Sequence, residues 1–218
     1  MFSKRVIEPE LLDHAPAEEA RLNLAQIVLL NERFGGHGVL RKILASVVNG
    51  KRAFTLLDVG SASGDTAKVI AQLYPQATVT SLDLNRVNLR DAPQPKLLAD
   101  AFQLPFKPNS FDYVFCSLFL HHFEDAAVSD LLAGFYRVAR RALLVSDLER
   151  SILPYLFFPV TKPFFGWTTM TMHDGMTSIR AAFRANELAQ MARHAGILNA
   201  SISVHRPAFR LSMVARKE

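Results

Sequence analysis

Between residues 53 and 148 short apolar runs alternate with stretches whose apolar positions recur every three or four residues. "AFTLLDV" (53–59), "ATVTSLDL" (77–84), "KLLAD" (96–100), "FDYVFCSLF" (111–119) and "ALLVSDL" (142–148) have the length and the turn-residue boundaries of strands. In "TAKVIAQLY", Ala67, Ile70, Ala71 and Tyr74 fall at helical intervals, and Pro75 closes that helix. "DAAVSDLLAGFYRVARR" puts Val128, Leu131, Leu132, Phe135 and Val138 on one helical face. Strands that are apolar on both faces and separated by helices predict a parallel sheet covered on both sides, a doubly wound α/β domain.

The rhythm changes outside this core. Residues 16–48 read as helix, with Leu22, Ile27, Leu30 and Phe34 as apolar contacts, so segment 1–48 is expected to form a helical lid over the strand ends. Residues 49–218 are then the main domain, with 149–185 as an inserted aromatic cap rich in proline. A further helix is predicted to start near Asn186 and stop at Gly196. The two β-like runs in "ASISVHRPAFRLSMVAR" meet at a short connection, which predicts an antiparallel pair.

Composition narrows the compartment and the partners. The chain has 218 residues, half of them apolar, and a single cysteine, Cys116, which leaves no disulfide framework or cysteine-based zinc site. The N-terminus lacks the apolar core of a secretory signal, and "ILPYLFFPVTKPFFGW" is broken by Pro154, Pro159, Lys162 and Pro163. A cytoplasmic protein without a membrane span is expected. The formal charge of +5 is spread along the chain, with "RVARR" (137–141) as the main cluster, so nucleic acid is not the expected partner. No H-x-x-x-H occurs, and no metal site is expected.

The chemistry concentrates at the predicted strand ends, where open α/β sheets bind their ligands. A dinucleotide fingerprint, G-x-G-x-x-G, would need glycine at three positions that here hold Gly60, Ala62 and Asp65. Asp65 would repel a diphosphate and tolerate a ligand that carries an amine. The turn "LLDVGSASG" instead resembles motif I of the class I S-adenosylmethionine-dependent methyltransferases, h-h-D-x-G-x-G-x-G. The resemblance continues in order through "SLDL", "ADAFQLPF" and "FDYVFCSLFLHHF" over about residues 53–148, and is nearest to the small-molecule, type 11/12-like branch. Its one departure is Ala62 at the middle glycine.

That resemblance implies a Rossmann-like, mostly parallel seven-stranded sheet with an antiparallel C-terminal strand. It also implies S-adenosylmethionine as cofactor, S-adenosylhomocysteine as product, and a cradle built from this chain's own residues. Asp83 would accept from the ribose hydroxyls. Asp58 would favour the methionine ammonium beside the backbone of Gly60, Ser61, Ala62 and Gly64. Leu84, Asp100, Ala101 and Phe102 would surround the adenine, with Cys116 and Ser117 at the end of the fourth strand.

Methyl transfer needs a base only when the acceptor must lose a proton. The candidates are His121, expected to face the pocket, and His173. His122, Tyr155, Phe158, Trp167 and Arg180 are the candidate acceptor contacts, because the many rings of the cap suit an apolar or aromatic small molecule. An RNA or protein methyltransferase, a nicotinamide-dependent oxidoreductase and a non-catalytic nucleoside-binding protein are the alternative functions. A homodimer is an allowed assembly.

Overall fold

A computed structural model describes residues 2–50 and 52–217; Met1, at the start of the expected lid, Lys51 and Glu218 lie outside the described residues. Seven strands form one sheet: β1 (Thr55–Val59), β2 (Thr78–Asp83), β3 (Lys96–Leu98), β4 (Phe111–Ser117), β5 (Ala139–Leu148), β6 (Ser201–His205) and β7 (Arg210–Arg216). Their order is β3-β2-β1-β4-β5-β7-β6. β1 to β5 are parallel, and β7 runs antiparallel between β5 and β6. The expected mixed, doubly wound sheet is therefore the one observed. The chain winds outward from β1 to β3 and then returns to place β4 on the other side of β1, so a crevice opens at the carboxyl ends of β1 and β4.

Alternation along the strands divides the core into two layers. Leu57, Val59, Val114, Cys116, Leu143 and Val145 face one side, beneath α5 (Asp125–Val138) and α8 (Ala185–His194). Leu56, Phe115 and Leu144 face the other side, beneath α2 (Gly36–Val47) and α3 (Asp65–Leu73). A short helix, α4 (Arg86–Leu89), follows β2 and is capped by the Asn85 side chain, which accepts from Val87 N and Asn88 N.

Segment 1–48 does not act as a single lid. Val39, Leu40, Ile43 and Leu44 of α2 are buried against the sheet, so this helix belongs to the core. Its amphipathic pattern looks the same in sequence whether it covers a sheet or a ligand. The part above the strand ends is α1 (Ala17–Arg33) and the arm before it, which includes a 3-10 turn at Leu11–His14. The arm is tied down by Arg5, which donates to Ala181 O (2.7 Å) and Phe123 O (2.9 Å) and stacks over the Phe183 ring.

The region between β5 and α8 forms a helical hairpin, α6 (Ile152–Phe165) and α7 (Thr169–Ala181). It shares an apolar cluster with α1 and the arm in which Phe158, Trp167 and Ile179 pack with Phe2, Leu30 and Phe34. Gly175 is required there, because a Cβ would enter the Phe158 ring.

Candidate active site

A cavity of about 880 Å³ lies at the ends of β1, β2 and β4 and is roofed by the arm, α1 and the α6–α7 hairpin. The turn after β1 brings Asp58, Gly60, Ser61 and Ala62 to it, the end of β2 brings Asp83 and Leu84, and the end of β4 brings Ser117. Gly60 N and Ser61 N both donate to Leu82 O, at 2.9 and 3.0 Å, which folds the turn back onto β2. Gly60 sits at φ +68°, and a side chain there would collide with the Phe119 ring. Ala62, at φ +45°, adopts a left-handed conformation that costs a non-glycine residue about 1 kcal/mol. It is held there by its N–H, which donates to Asp83 Oδ2 at 2.9 Å. Asp83 Oδ1 accepts from Asn85 N at 2.8 Å, so each carboxylate oxygen holds one turn and keeps a lone pair free. Burial raises the Asp83 carboxyl above its usual range despite these donors.

Polar atoms without partners converge on this cavity. Among the described residues six buried side-chain atoms are unbonded, and five of them, Asn23 Oδ1, Asp58 Oδ2, Ser61 Oγ, Asn88 Oδ1 and Arg210 Nη1, belong to residues that line it; the sixth is Ser81 Oγ. A buried unsatisfied group costs roughly 1–3 kcal/mol, so this concentration marks a surface built to be completed by a ligand. Burial pushes the Asp58 carboxyl well up, and the nearby charges of Asp65 and Asp83 push it further. An ammonium group placed there would relieve both effects. Arg210 is likewise buried, which brings its guanidinium down to about 10; Nη2 donates to Asn31 Oδ1 at 2.9 Å while Nη1 is free. Asn31 also donates to Asp65 Oδ2, and His37 lies 2.8 Å from the same oxygen. These bonds join α1 and α2 to the start of α3.

The two adjacent histidines have different environments. His121 is buried, with Nδ1 2.7 Å from Asp147 Oδ1 and Nε2 3.7 Å from Glu10 Oε1. Burial opposes its charge, but Asp147 and Glu10 outweigh burial and push its pKa to about 9. It is therefore an imidazolium at neutral pH. His122 is driven the other way, by burial and by the positive charge on His121, so its imidazole stays neutral. The His121 and His122 rings lie 4.3 Å apart, and both line the cavity.

Glu10 comes from the arm, and its Oε1 accepts from Ser178 of α7. Asp174 of the same helix accepts from Leu11 N (2.8 Å) and Leu12 N (3.1 Å) and so fixes the 3-10 turn that carries Glu10 inward. Glu10, His121 and His122 each put a potential ligand atom within 4.8 Å of the others. The expectation of no metal site rests on the adjacency of His121 and His122 and the lack of an H-x-x-x-H, and does not take in Glu10, which is distant along the chain. Existing bonds already engage two of these groups, His121 through Asp147 and Glu10 through Ser178.

This arrangement predicts a stability profile. The folded-state pKa of His121 exceeds its ordinary 6.5, so its contribution is complete below pH 6.5 and is lost as pH rises through 9. A shift of that size corresponds to about 3 kcal/mol. Urea unfolding at pH 6 and pH 9 should show wild-type protein losing much of that amount, and H121Q losing far less. Equal losses would contradict the buried ion pair.

Several residues singled out from the sequence lie elsewhere. Gly64 (φ +71°) is pressed against Ala92 and Pro93 on the flank of the turn. Asp100 caps a short turn, accepting from Phe102 N, and neither these two nor Ala101 lines the cavity. Phe102 meets it only through Phe123, whose ring is 5.4 Å away and does line it. Cys116 points into the core, where burial raises its thiol well above the usual value. His173 is half exposed beside Asp174, outside the cavity. Tyr155 packs on Phe2, Trp167 stacks on Phe165, and Arg180 pairs with Glu8. Of the cap candidates, Phe158 reaches the cavity.

Residues 57–142 match the family described as "Methyltransferase domain". The chain is 28% identical over 193 residues to the demethylmenaquinone methyltransferase of Anoxybacillus flavithermus, covering 78% of this chain and 80% of that protein. Residues 57–142 are therefore a methyltransferase domain, in line with the resemblance to the class I S-adenosylmethionine-dependent methyltransferases. Among solved structures, the plantazolicin methyltransferase in complex with S-adenosylhomocysteine superposes with a TM-score of 0.65 at 11% identity, covering 91% of this chain and 89% of that one. Human N-acetylserotonin methyltransferase in complex with S-adenosylmethionine gives 0.59 at 19% identity and 82% coverage of this chain. The chain spans 51% of the human enzyme's length, and at such identities these two superpositions show a shared fold. The cofactor of this methyltransferase family is S-adenosylmethionine. The free oxygens of Asp58 and Ser61 suit the ammonium at one end of that molecule, as the free lone pairs of Asp83 suit its ribose hydroxyls. Among the described residues no helix is long and apolar enough to cross a membrane.

Proposed function

We propose that this methyltransferase transfers a methyl group to an oxygen, nitrogen or carbon of a small apolar or aromatic acceptor, and that His122 takes the acceptor's proton where one must leave. The observation that carries this reading is the two-part lining of one cavity. Its strand-end part is polar and carries most of the unpartnered atoms, whereas Leu24, Ile27, Phe34, Phe157, Phe158 and Ile179 supply apolar walls from α1 and its C-terminal end, α6 and α7. The demethylmenaquinone methyltransferase relative is in keeping with such an acceptor.

Asp83 would hold the ribose hydroxyls, Asp58 and Ser61 the ammonium, and the free Nη1 of Arg210 the carboxylate. When bound, the cofactor supplies an electrophilic methyl group on a sulfonium. The chain's own task is to place a nucleophile in line with that methyl and to exclude water. The arm and the α6–α7 hairpin exclude water. His122 is neutral at physiological pH because of burial and the charge of His121, and can therefore accept a proton. His121 is already protonated and cannot, so its part is to fix the electrostatics of its neighbour.

The test is a panel of phenolic, quinol and polyene acceptors, with RNA and protein controls, monitored by release of S-adenosylhomocysteine. Turnover confined to apolar small molecules is expected. Turnover confined to RNA or protein would overturn the acceptor assignment, and failure to bind S-adenosylhomocysteine would overturn the cradle.

A further inference from the structure

The outward face of α6 is the least ordinary surface on the molecule. Ile152, Leu156, Val160 and Phe164 recur at intervals of four and so form one stripe along the whole helix, with Leu153 beside it. Val160 is 66% exposed and Phe164 81%. Pro159 and Pro163 are exposed on the same helix, and the one charge it presents is Lys162. The inward face is apolar as well: Pro154, Phe157 and Phe158 line the cavity. A helix that is apolar all round normally lies inside a core, yet half of this one is uncovered.

We propose that this stripe docks the protein onto the surface of a bilayer containing anionic lipid. Charge supports that occupant. From residue 150 to residue 173 the chain has no aspartate or glutamate, Lys162 is exposed on the flank of the same helix, and the whole chain carries +5. Exposed Arg33 ends α1 next to Phe34, which packs on Phe157 and Phe165 of the same hairpin. The length of α6 fits docking and not spanning: 14 residues extend about 21 Å, short of the roughly 30 Å hydrocarbon core.

A second copy of the chain suits the stripe less well. A two-fold helix pair would bury the stripe against its own copy. It would also seal off the carbonyls of Tyr155 and Pro159, which lose their helical donors to Pro159 and Pro163. At the depth of the headgroups, water and lipid can satisfy those carbonyls while the side chains of the stripe reach the acyl boundary. The docked helix is at the same time a wall of the cavity, so an apolar acceptor dissolved in the leaflet would lie one helix away from it. That last consequence rests on the proposed acceptor class; the docking does not.

Co-sedimentation with vesicles of phosphatidylcholine and phosphatidylglycerol (3:1) tests the docking directly. Wild-type protein should pellet with the vesicles, V160E/F164E should partition at least tenfold more weakly, and K162E should bind more weakly than wild type to the anionic vesicles alone. Neither Val160 nor Phe164 lines the cavity, so affinity for S-adenosylhomocysteine should be unchanged in all three proteins and serves as the folding control. Wild-type protein that stays in the supernatant, or a V160E/F164E variant that pellets equally, would overturn the proposal. So would a dimer in sedimentation equilibrium that V160E/F164E dissolves without any binding to vesicles. The acceptor panel reads the function separately: docking can fail while soluble acceptors are turned over, and the reverse.

Discussion

Asparagine at Asp58 is expected to weaken S-adenosylhomocysteine binding at least a hundredfold while raising the melting temperature of the ligand-free protein. The two effects share one cause. Asp58 is buried, its Oδ2 has no partner, and the carboxylates of Asp65 and Asp83 lie close enough to repel its charge. Its folded-state pKa is therefore raised, and the folded protein binds a proton more tightly there than the unfolded chain does. Stability falls as pH climbs from the ordinary carboxylate value through the folded one, and D58N removes that loss. The Tm gain should be small at pH 4 and larger at pH 8. In the proposed complex the same carboxylate would face an ammonium, and removing one partner of a buried charge pair costs about 2–5 kcal/mol. Affinity of the wild type should rise with pH as Asp58 ionises, a dependence that D58N abolishes. Titration calorimetry and thermal scans on both proteins check the pair of results. D83N makes the contrast, because Asp83 also holds the Ala62 and Asn85 N–H groups and should lose stability together with affinity. A D58N variant with unchanged affinity would refute the ammonium site.

The sheet and the turn after β1 were legible because both are local. Alternating apolar runs mark the strands, and the acids that end β1 and β2 stand where the β1 turn needs them. What was not legible came from distant segments meeting. Nothing in "EPELLDH" says that Glu10 will lie beside two histidines 111 and 112 residues further on, since that contact depends on Asp174 capping the arm. Nothing in the strand "ALLVSDL" marks Asp147 as the partner that keeps His121 charged. Arg210 begins the last strand and reads as an ordinary surface base until β7 inserts beside β5 and buries it. Cys116 shows the limit of strand-end reasoning. It is a single position before Ser117, but alternation turns it to the helix-covered face while Ser117 meets the cavity. The cap rings divide in the same way: the rhythm of α6 sends Phe158 inward to the cavity and Phe164 outward to solvent.

Alanine at His122 should lower turnover by roughly 10²–10⁴-fold and leave the affinity for S-adenosylhomocysteine unchanged, if the acceptor loses a proton during transfer. H121A, by contrast, should act first on folding, because it leaves Asp147 and Glu10 buried without their cation. The pH profile separates a base from a merely structural histidine. His122 is held below the ordinary imidazole value by burial and by His121, against smaller upward pulls from Glu10, Asp147 and Asp13. The acid limb of kcat should therefore lie below pH 6.5 in the wild type. Its movement in two variants has opposite signs. E10Q removes an upward pull and should shift the limb lower. D147N removes the main support for the His121 charge, and since that charge depresses His122 more than Asp147 lifts it, the limb should move higher. Steady-state rates from pH 5 to pH 9 with a saturating acceptor measure all three. Movement of both variants in the same direction, or wild-type rates in H122A, would remove His122 from the role of base and return the search to acceptors that carry no proton to lose.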